Sequence, residues 1–370
     1  MLCSDTSTVS LLTTTAGSTT PYYFEFLDAQ KRKILEILLD YVIIFSIFAT
    51  GIVTNILVIL VYAKQGFKES VAVSMTTISV WDFLKCVSGI MNSFSGILSL
   101  FDPVAATSWL NISTVIFNYL ICFSSYVTSV MAAYVAVERC LCVSVPLKVK
   151  WMLTPKVTLM ACLTISVVVF GAFAVMFGIY DIIWVHDYTI NATIAIAIKN
   201  EFYYKHDGPL FVYYNLSGIL WPLAAFVVIL VATIIIIYKL KKGSKFRMGQ
   251  SSISTQHKDA SAQNKTDEQQ KQRQNLLKRD RQVVKMLLVI IIIYIACLAP
   301  RIAHYLAKYV IYDFYFLRRH HHLFEFVNYG IMLADSSNGA VNFFVFYRMS
   351  SSFRATFRSM ACRKEQNAET

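Results

Sequence analysis

The chain has 370 residues, of which 56% are hydrophobic and only 15% charged, and it carries a formal net charge of +12. That balance excludes a soluble globular domain, where about 25% of residues are charged. The positive charge is an orientation and lipid-headgroup signal, with no nucleic-acid groove set against it: 13 of the 34 Lys and Arg fall between Lys239 and Lys285.

The first 33 residues lack a basic start followed by an apolar block, so no cleaved signal is expected, and residues 1–34 are assigned as an extracellular Ser/Thr-rich tail. Seven apolar stretches follow, centred on Thr50, Phe83, Thr128, Val169, Phe226, Ile293 and Leu333. Each is about 20 residues or longer, enough for a helix to cross a hydrocarbon core of ~30 Å. Runs such as Val227 to Ile237 and Met286 to Ile295 are apolar on every face, whereas spanning strands alternate over about 10 residues. The expected fold is therefore an all-α membrane protein, a seven-transmembrane helix bundle over residues 35–349. Residues 243–278 are expected to form a disordered third cytoplasmic loop, because nothing apolar there offsets the ordering entropy. Residues 350–370 are assigned to a short amphipathic eighth helix and tail, with Phe353 and Phe357 in lipid, Arg354 and Arg358 toward phosphates, and Cys362 as the acylation site.

The excess of Lys and Arg in the later loops places the N-terminus outside a plasma membrane, although Lys31, Arg32 and Lys33 argue locally against it. Of the eight cysteines, Cys86, Cys122, Cys162 and Cys297 fall within spans. Cys140, Cys142 and Cys362 fall on the cytoplasmic side and Cys3 alone outside, so no intramolecular disulfide is expected.

Polar marks punctuate the apolar stretches. Gly51 and Asn55 stand at helical spacing in the first span, and Asp82 lies mid-membrane in the second. Glu138 and Arg139 close the third, where an acid beside an arginine is costly unless used or paired; a boundary salt bridge that fixes helix depth is the other explanation. Pro222 and Pro300 remove helix hydrogen bonds in the fifth and sixth spans and give them places to bend. Asn338 and Asn342 lie four residues apart in the seventh, before Phe346-Tyr347.

This ordered set, one mark per helix from Leu35 to Cys362, resembles the rhodopsin-like G-protein-coupled receptors. Gly66-Phe67-Lys68-Glu69-Ser70 and the Glu-Arg-Cys sequence at 138–140 look like invertebrate chemosensory or peptide receptors. The resemblance implies a receptor, not an enzyme and without a cofactor, whose partners are an extracellular ligand, a heterotrimeric G protein and the lipid bilayer. It implies that Arg139, once released from Glu138 and from Asp280 at the foot of the sixth span, meets the G protein. It also implies a polar core of Asn55, Asp82, Thr128, Asn338 and Asn342, in which the last four match positions that gather around a sodium ion. Polar packing between helices remains the alternative. Lys85 lies three residues after Asp82 on the same helix face and can reach its carboxylate, or it can cross to Asp335 and leave Asp82 to hold an ion.

The chain departs from the family pattern at several points. Thr114 stands where the third-span cysteine is usual, and the second extracellular loop, about Trp184 to Pro209, has no cysteine to pair with. Leu298, Phe343, Phe346 and Leu230 replace the usual tryptophan, proline and two tyrosines. Lys85, Ile121, Cys122, Ser125, Arg301, Tyr305 and Asp335 are expected to line the ligand cavity. Ile121 stands where amine receptors need an aspartate, and Ser336 where a visual pigment needs its lysine, which argues against both ligand types. Two charge states stay open: a surplus cation that meets an anionic ligand, or internal pairing of Lys85 and Arg301 with Asp82 and Asp335. Asn191-Ala192-Thr193 and the more membrane-proximal Asn111-Ile112-Ser113 are glycan acceptors by sequence. His320-His321-His322 is an unsuitable metal site, because adjacent histidines on a loop rarely face one ion. A channel or transporter is the competing class, without the half-repeats or pore rings it needs; a receptor that binds without signalling is the nearer rival.

Overall fold

The computed structural model describes residues 37–145, 149, 151–188, 190–251, 285, 288–304, 306–307, 310–311 and 321–366. The first span opens as a π-helix, Ile37–Ile44, and passes into α1, Phe45–Gln65. Gly66 ends it with φ 73°, a conformation that a side chain would strain. α2 is Ser70–Leu98 and α3 is Pro103–Ser144. The start of α3 is written in the sequence: the Asp102 carboxylate accepts from the Val104 and Ala105 N–H groups at 3.0 Å, and Pro103 takes the first helical position, where no N–H is needed. Thr154 and Pro155 play the same parts for α4, Pro155–Phe173, which tightens into a 3-10 helix at Ala174–Gly178.

A two-stranded antiparallel hairpin follows, β1 Tyr180–Asp187 and β2 Ala192–Lys199, with Trp184 opposite Ala195 and Asn191 at φ 48° in the turn. The alternation of Ile194, Ile196 and Ile198 with Ala195 and Ala197 suits a half-buried strand. β2 buries Ile194, Ala195 and Ala197 and packs on α3, while most of β1 is exposed. After a helical turn at Glu201–Lys205, α5 runs Asp207–Ser251 through Pro222. It therefore ends later than expected, inside the segment assigned as loop; residues 252–278 of that segment lie outside the described residues. α6 is Leu288–His304, α7 His321–Met349 and α8 Ser351–Gln366.

Together α1 to α7 make a seven-helix membrane bundle. Among the described residues α1 to α5 are long and apolar enough to cross a membrane, and α6 is a shorter apolar helix. α3 is the hub, touching α2, α4, α5 and β2, while α7 lies against α1 and α2. Aromatic rings fill the hairpin end between α3 and α4, where Phe123 stacks on Phe173 at 4.6 Å and Tyr126 lies 5.0 Å from the same ring.

The other end corrects an expectation. Phe353 points into the bundle rather than into lipid, and Phe357 is half-buried against it. Phe353 is fully buried against Tyr62 of α1 and Phe346 of α7, at 5.7 and 5.6 Å, and Phe357 packs on Phe343 and Tyr347. Arg354 likewise turns inward and donates to the Tyr347 and Arg348 carbonyls at the end of α7, carbonyls that a helix terminus leaves without partners. Gln65 and Lys64 of α1 clasp Thr356 and Ser359 at 3.0 and 3.1 Å. α8 is thus a docked part of the bundle, and Arg358 remains exposed. The Cys362 side chain lies outside the described residues.

Candidate functional site

Three polar layers cross the apolar bundle. At the α8 end, Arg139 Nη2 donates to Glu138 Oε1 at 2.5 Å, and both side chains are buried. Ser70 Oγ, from the first turn of α2, donates to the same oxygen. Sequence reasoning missed Ser70 as a partner, because nothing local links the start of α2 to the end of α3. The third side chain adds a second donor to Oε1, while Glu138 Oε2 and Arg139 Nε are buried without hydrogen-bond partners, so the pair is only partly satisfied. Asp280 lies outside the described residues.

The middle layer is built from α1, α2 and α7. Asn55 Nδ2 donates to Gly51 O at 2.9 Å on its own helix and to Gly339 O at 2.7 Å across on α7, and Thr54 Oγ1 reaches Ala340 O at 3.3 Å. Lys85 Nζ donates to Asp82 Oδ1 at 2.7 Å, and Asn342 Nδ2 to Asp82 Oδ2 at 3.1 Å. Both carboxylate oxygens are therefore engaged, in a setting where Asp82 and Lys85 are at most 1% exposed. Of the four residues associated with a sodium ion, the structure brings Asp82 and Asn342 into contact. Thr128 is buried and donates to the Ser125 carbonyl of its own helix at 3.2 Å. Asn338 is buried, its Oδ1 without a hydrogen-bond partner. These residues do not fit a dissolved sodium ion, because an ammonium already meets the only acid in the layer among the described residues. Tyr294 of α6, fully buried, stands beside Asp82, Asn338 and Asn342. It was overlooked in the sequence, although one hydroxyl in the apolar run Val289 to Ile295 is a signal of an inward face.

The third layer lies toward the hairpin. Arg301 of α6 and Asp335 of α7 form an ion pair through Arg301 Nη2, and the guanidinium sits 5.6 Å from the Tyr126 ring of α3. Arg301 Nη1 is buried without a hydrogen-bond partner. Cys122 contributes its thiol to Tyr126 Oη at 3.3 Å, and Ser125 Oγ is buried without a partner. Ile121 packs in an apolar cluster with Phe48, Cys86 and Met332. Tyr305 lies outside the described residues. Of the two charge states left open, the structure holds the internally paired one: Lys85 is with Asp82 and Arg301 with Asp335.

The hairpin is held over this layer without a covalent tether. Thr114 bonds within α3, to Leu110 O at 2.7 Å. One turn nearer the start of α3, Asn111 Nδ2 donates to Ala195 O at 2.8 Å and Ser108 Oγ accepts from Ala195 N at 3.1 Å. Both backbone groups of one β2 residue are thereby met by α3. Of the two glycan acceptors expected by sequence, Asn111 is half-buried with its amide nitrogen on the hairpin, and Asn191 is exposed in the turn. The described cysteines Cys86, Cys122, Cys140, Cys142, Cys162 and Cys297 are free thiols.

A model of the family described as serpentine type 7TM GPCR chemoreceptor Srw matches residues 40–364, from within the opening π-helix to within α8. No curated protein matches the chain.

Proposed function

We propose, on the premise that the chain belongs to the serpentine 7TM GPCR chemoreceptor family Srw, that it is a plasma-membrane chemosensory receptor with its N-terminus outside. In this reading it binds an extracellular ligand between α3, α6 and α7 and activates a heterotrimeric G protein at the α8 end. The observation that carries the proposal is the buried Glu138–Arg139 pair steadied by Ser70. A charge held out of water by two neighbours is a two-state element: released, the guanidinium is a strong donor for an incoming protein; held, it is silent.

Pairing in the outer layer also bears on the ligand. With Arg301 neutralised by Asp335, the site offers no surplus charge from Lys85 or Arg301, but it does offer the idle Nη1 donor beside an aromatic face. A neutral, largely apolar molecule with an oxygen acceptor suits it better than an anion does. Phe346 and Leu230 favour the second reading, a receptor that binds without signalling, because neither supplies a hydroxyl to an active-state contact.

Reconstitution in nanodiscs with a panel of purified heterotrimers separates the two. Glu138→Gln is expected to raise basal nucleotide exchange several-fold and Arg139→Ala to abolish the receptor-dependent part. Exchange that is indifferent to the wild-type receptor and to both variants would establish the silent one.

A further inference from the structure

The middle layer has the parts of a cation seat: one carboxylate, an amide that closes its second oxygen and a backbone brought close. The close approach is specific. A Cβ on Gly339 would lie 2.8 Å from Lys85 Cε, 3.1 Å from Lys85 Nζ and 3.6 Å from Asp82 Oδ1, so α7 leaves out a side chain where the ammonium sits. α7 is fixed at that height by Asn55 on the Gly339 carbonyl and Thr54 on the Ala340 carbonyl. Asn342, one turn along, closes the second carboxylate oxygen. The other buried charged side chains among the described residues, Arg301 with Asp335 and Arg139 with Glu138, are committed to each other.

We propose that Asp82, Asn342 and the bare backbone at Gly339 form a monovalent-cation site whose permanent occupant is the chain's own Lys85 ammonium, so that the α2–α7 contact does not respond to sodium.

Two physical terms favour the tethered ion over the dissolved one. Lys85 and Asp82 are three residues apart on one helix, so their contact forms without loss of translational freedom, whereas a dissolved ion must be concentrated from solution. A second cation entering the seat would meet the ammonium at close range in a medium of low dielectric, where like charges repel far more strongly than in water. The site is thus closed to exchange, and the polar layer becomes a fixed strut between α2 and α7. This inference is independent of ligand and G-protein coupling.

Thermal unfolding of the full-length receptor in nanodiscs tests it, with sodium chloride titrated against choline chloride at constant ionic strength. The wild-type midpoint is expected to be the same in both salts. Lys85→Leu, which vacates the seat, is expected to acquire a sodium-specific rise of about 2–4 °C that Asp82→Asn in the same background removes. Lys85→Gln serves if the leucine variant does not fold. Gly339→Ala gives a salt-independent check: it is expected to lower the wild-type midpoint but not that of the Lys85 variant, because the Lys85 Cε and Nζ that the added methyl would crowd are then gone and only an ordinary contact to Asp82 Oδ1 at 3.6 Å remains. A sodium-specific shift in the wild type would overturn the permanent occupancy. No sodium response in a folded Lys85 variant would overturn the cation site, and equal Gly339→Ala effects in both backgrounds would overturn the seat at Gly339.

Discussion

Two of the buried ion pairs differ in what they join. Lys85 and Asp82 belong to one helix, both carboxylate oxygens are satisfied, and the pair would survive any movement of α6. Arg301 and Asp335 belong to different helices, a third helix contributes only an aromatic face, and one guanidinium nitrogen is idle. A pair within one helix is a spacer; a pair between helices reports how those helices sit. On the proposed function, the middle layer would hold still while the outer layer responds to a ligand that enters between α6 and α7.

The largest effects should come from breaking each pair by removing one partner. Asp335→Ala leaves Arg301 buried and uncompensated and is expected to cost about 3–5 kcal/mol of stability, read by unfolding of the purified receptor. Asp335→Leu with Arg301→Met, which removes both charges and keeps volume, is expected to recover most of that loss. If the double variant is no more stable than the single one, the pair is not the coupled unit described. Phe353→Ala comes next, at about 3 kcal/mol for a fully buried ring that joins α1, α7 and α8. A cost under about 1 kcal/mol would return Phe353 to the lipid-facing role that its sequence pattern suggests.

That pattern shows where sequence was enough and where it was not. The seven spans were legible because an apolar run of span length has one stable solution in a bilayer, and helix starts at Asp102-Pro103 and Thr154-Pro155 are local chemistry. An amphipathic stretch such as 351–366 says that one side is apolar but not what covers it, so lipid and the α1–α7 cleft read alike. The Lys85–Asp82 contact was available from a spacing of three. Arg301 and Asp335 could be marked as charges, but choosing their partners among four intramembrane groups needed the third dimension. The same holds for Ser70 with Glu138 and for Tyr294 with the polar layer. The hairpin was missed because attention to 20-residue runs passes over an eight-residue alternation.

Smaller still is the effect expected at Ser70. Ser70→Ala removes one donor to the buried Glu138 carboxylate and should cost about 1–2 kcal/mol, while raising basal nucleotide exchange less than Glu138→Gln does. An unchanged basal rate in a folded Ser70→Ala receptor would show that Arg139 alone holds the acid.

The hairpin gives the finest test, because its attachment to α3 rests on polar contacts that are individually small. Asn111 and Ser108 engage the carbonyl and N–H of a single residue, Ala195, itself fully buried. Each contact contributes about 0.5–1.5 kcal/mol, so Asn111→Ala or Ser108→Ala alone leaves global stability nearly unchanged. Local opening is more sensitive: the Ala195 amide should exchange with deuterium roughly 2–10-fold faster in either variant, with helix amides of α3 unaffected. Ser108→Ala should have the larger effect on that amide, since it removes its direct acceptor, and the double variant should exceed either. An Ala195 amide that exchanges at the wild-type rate in the double variant would mean that the packing of β2 on α3, and not these polar contacts, holds the hairpin.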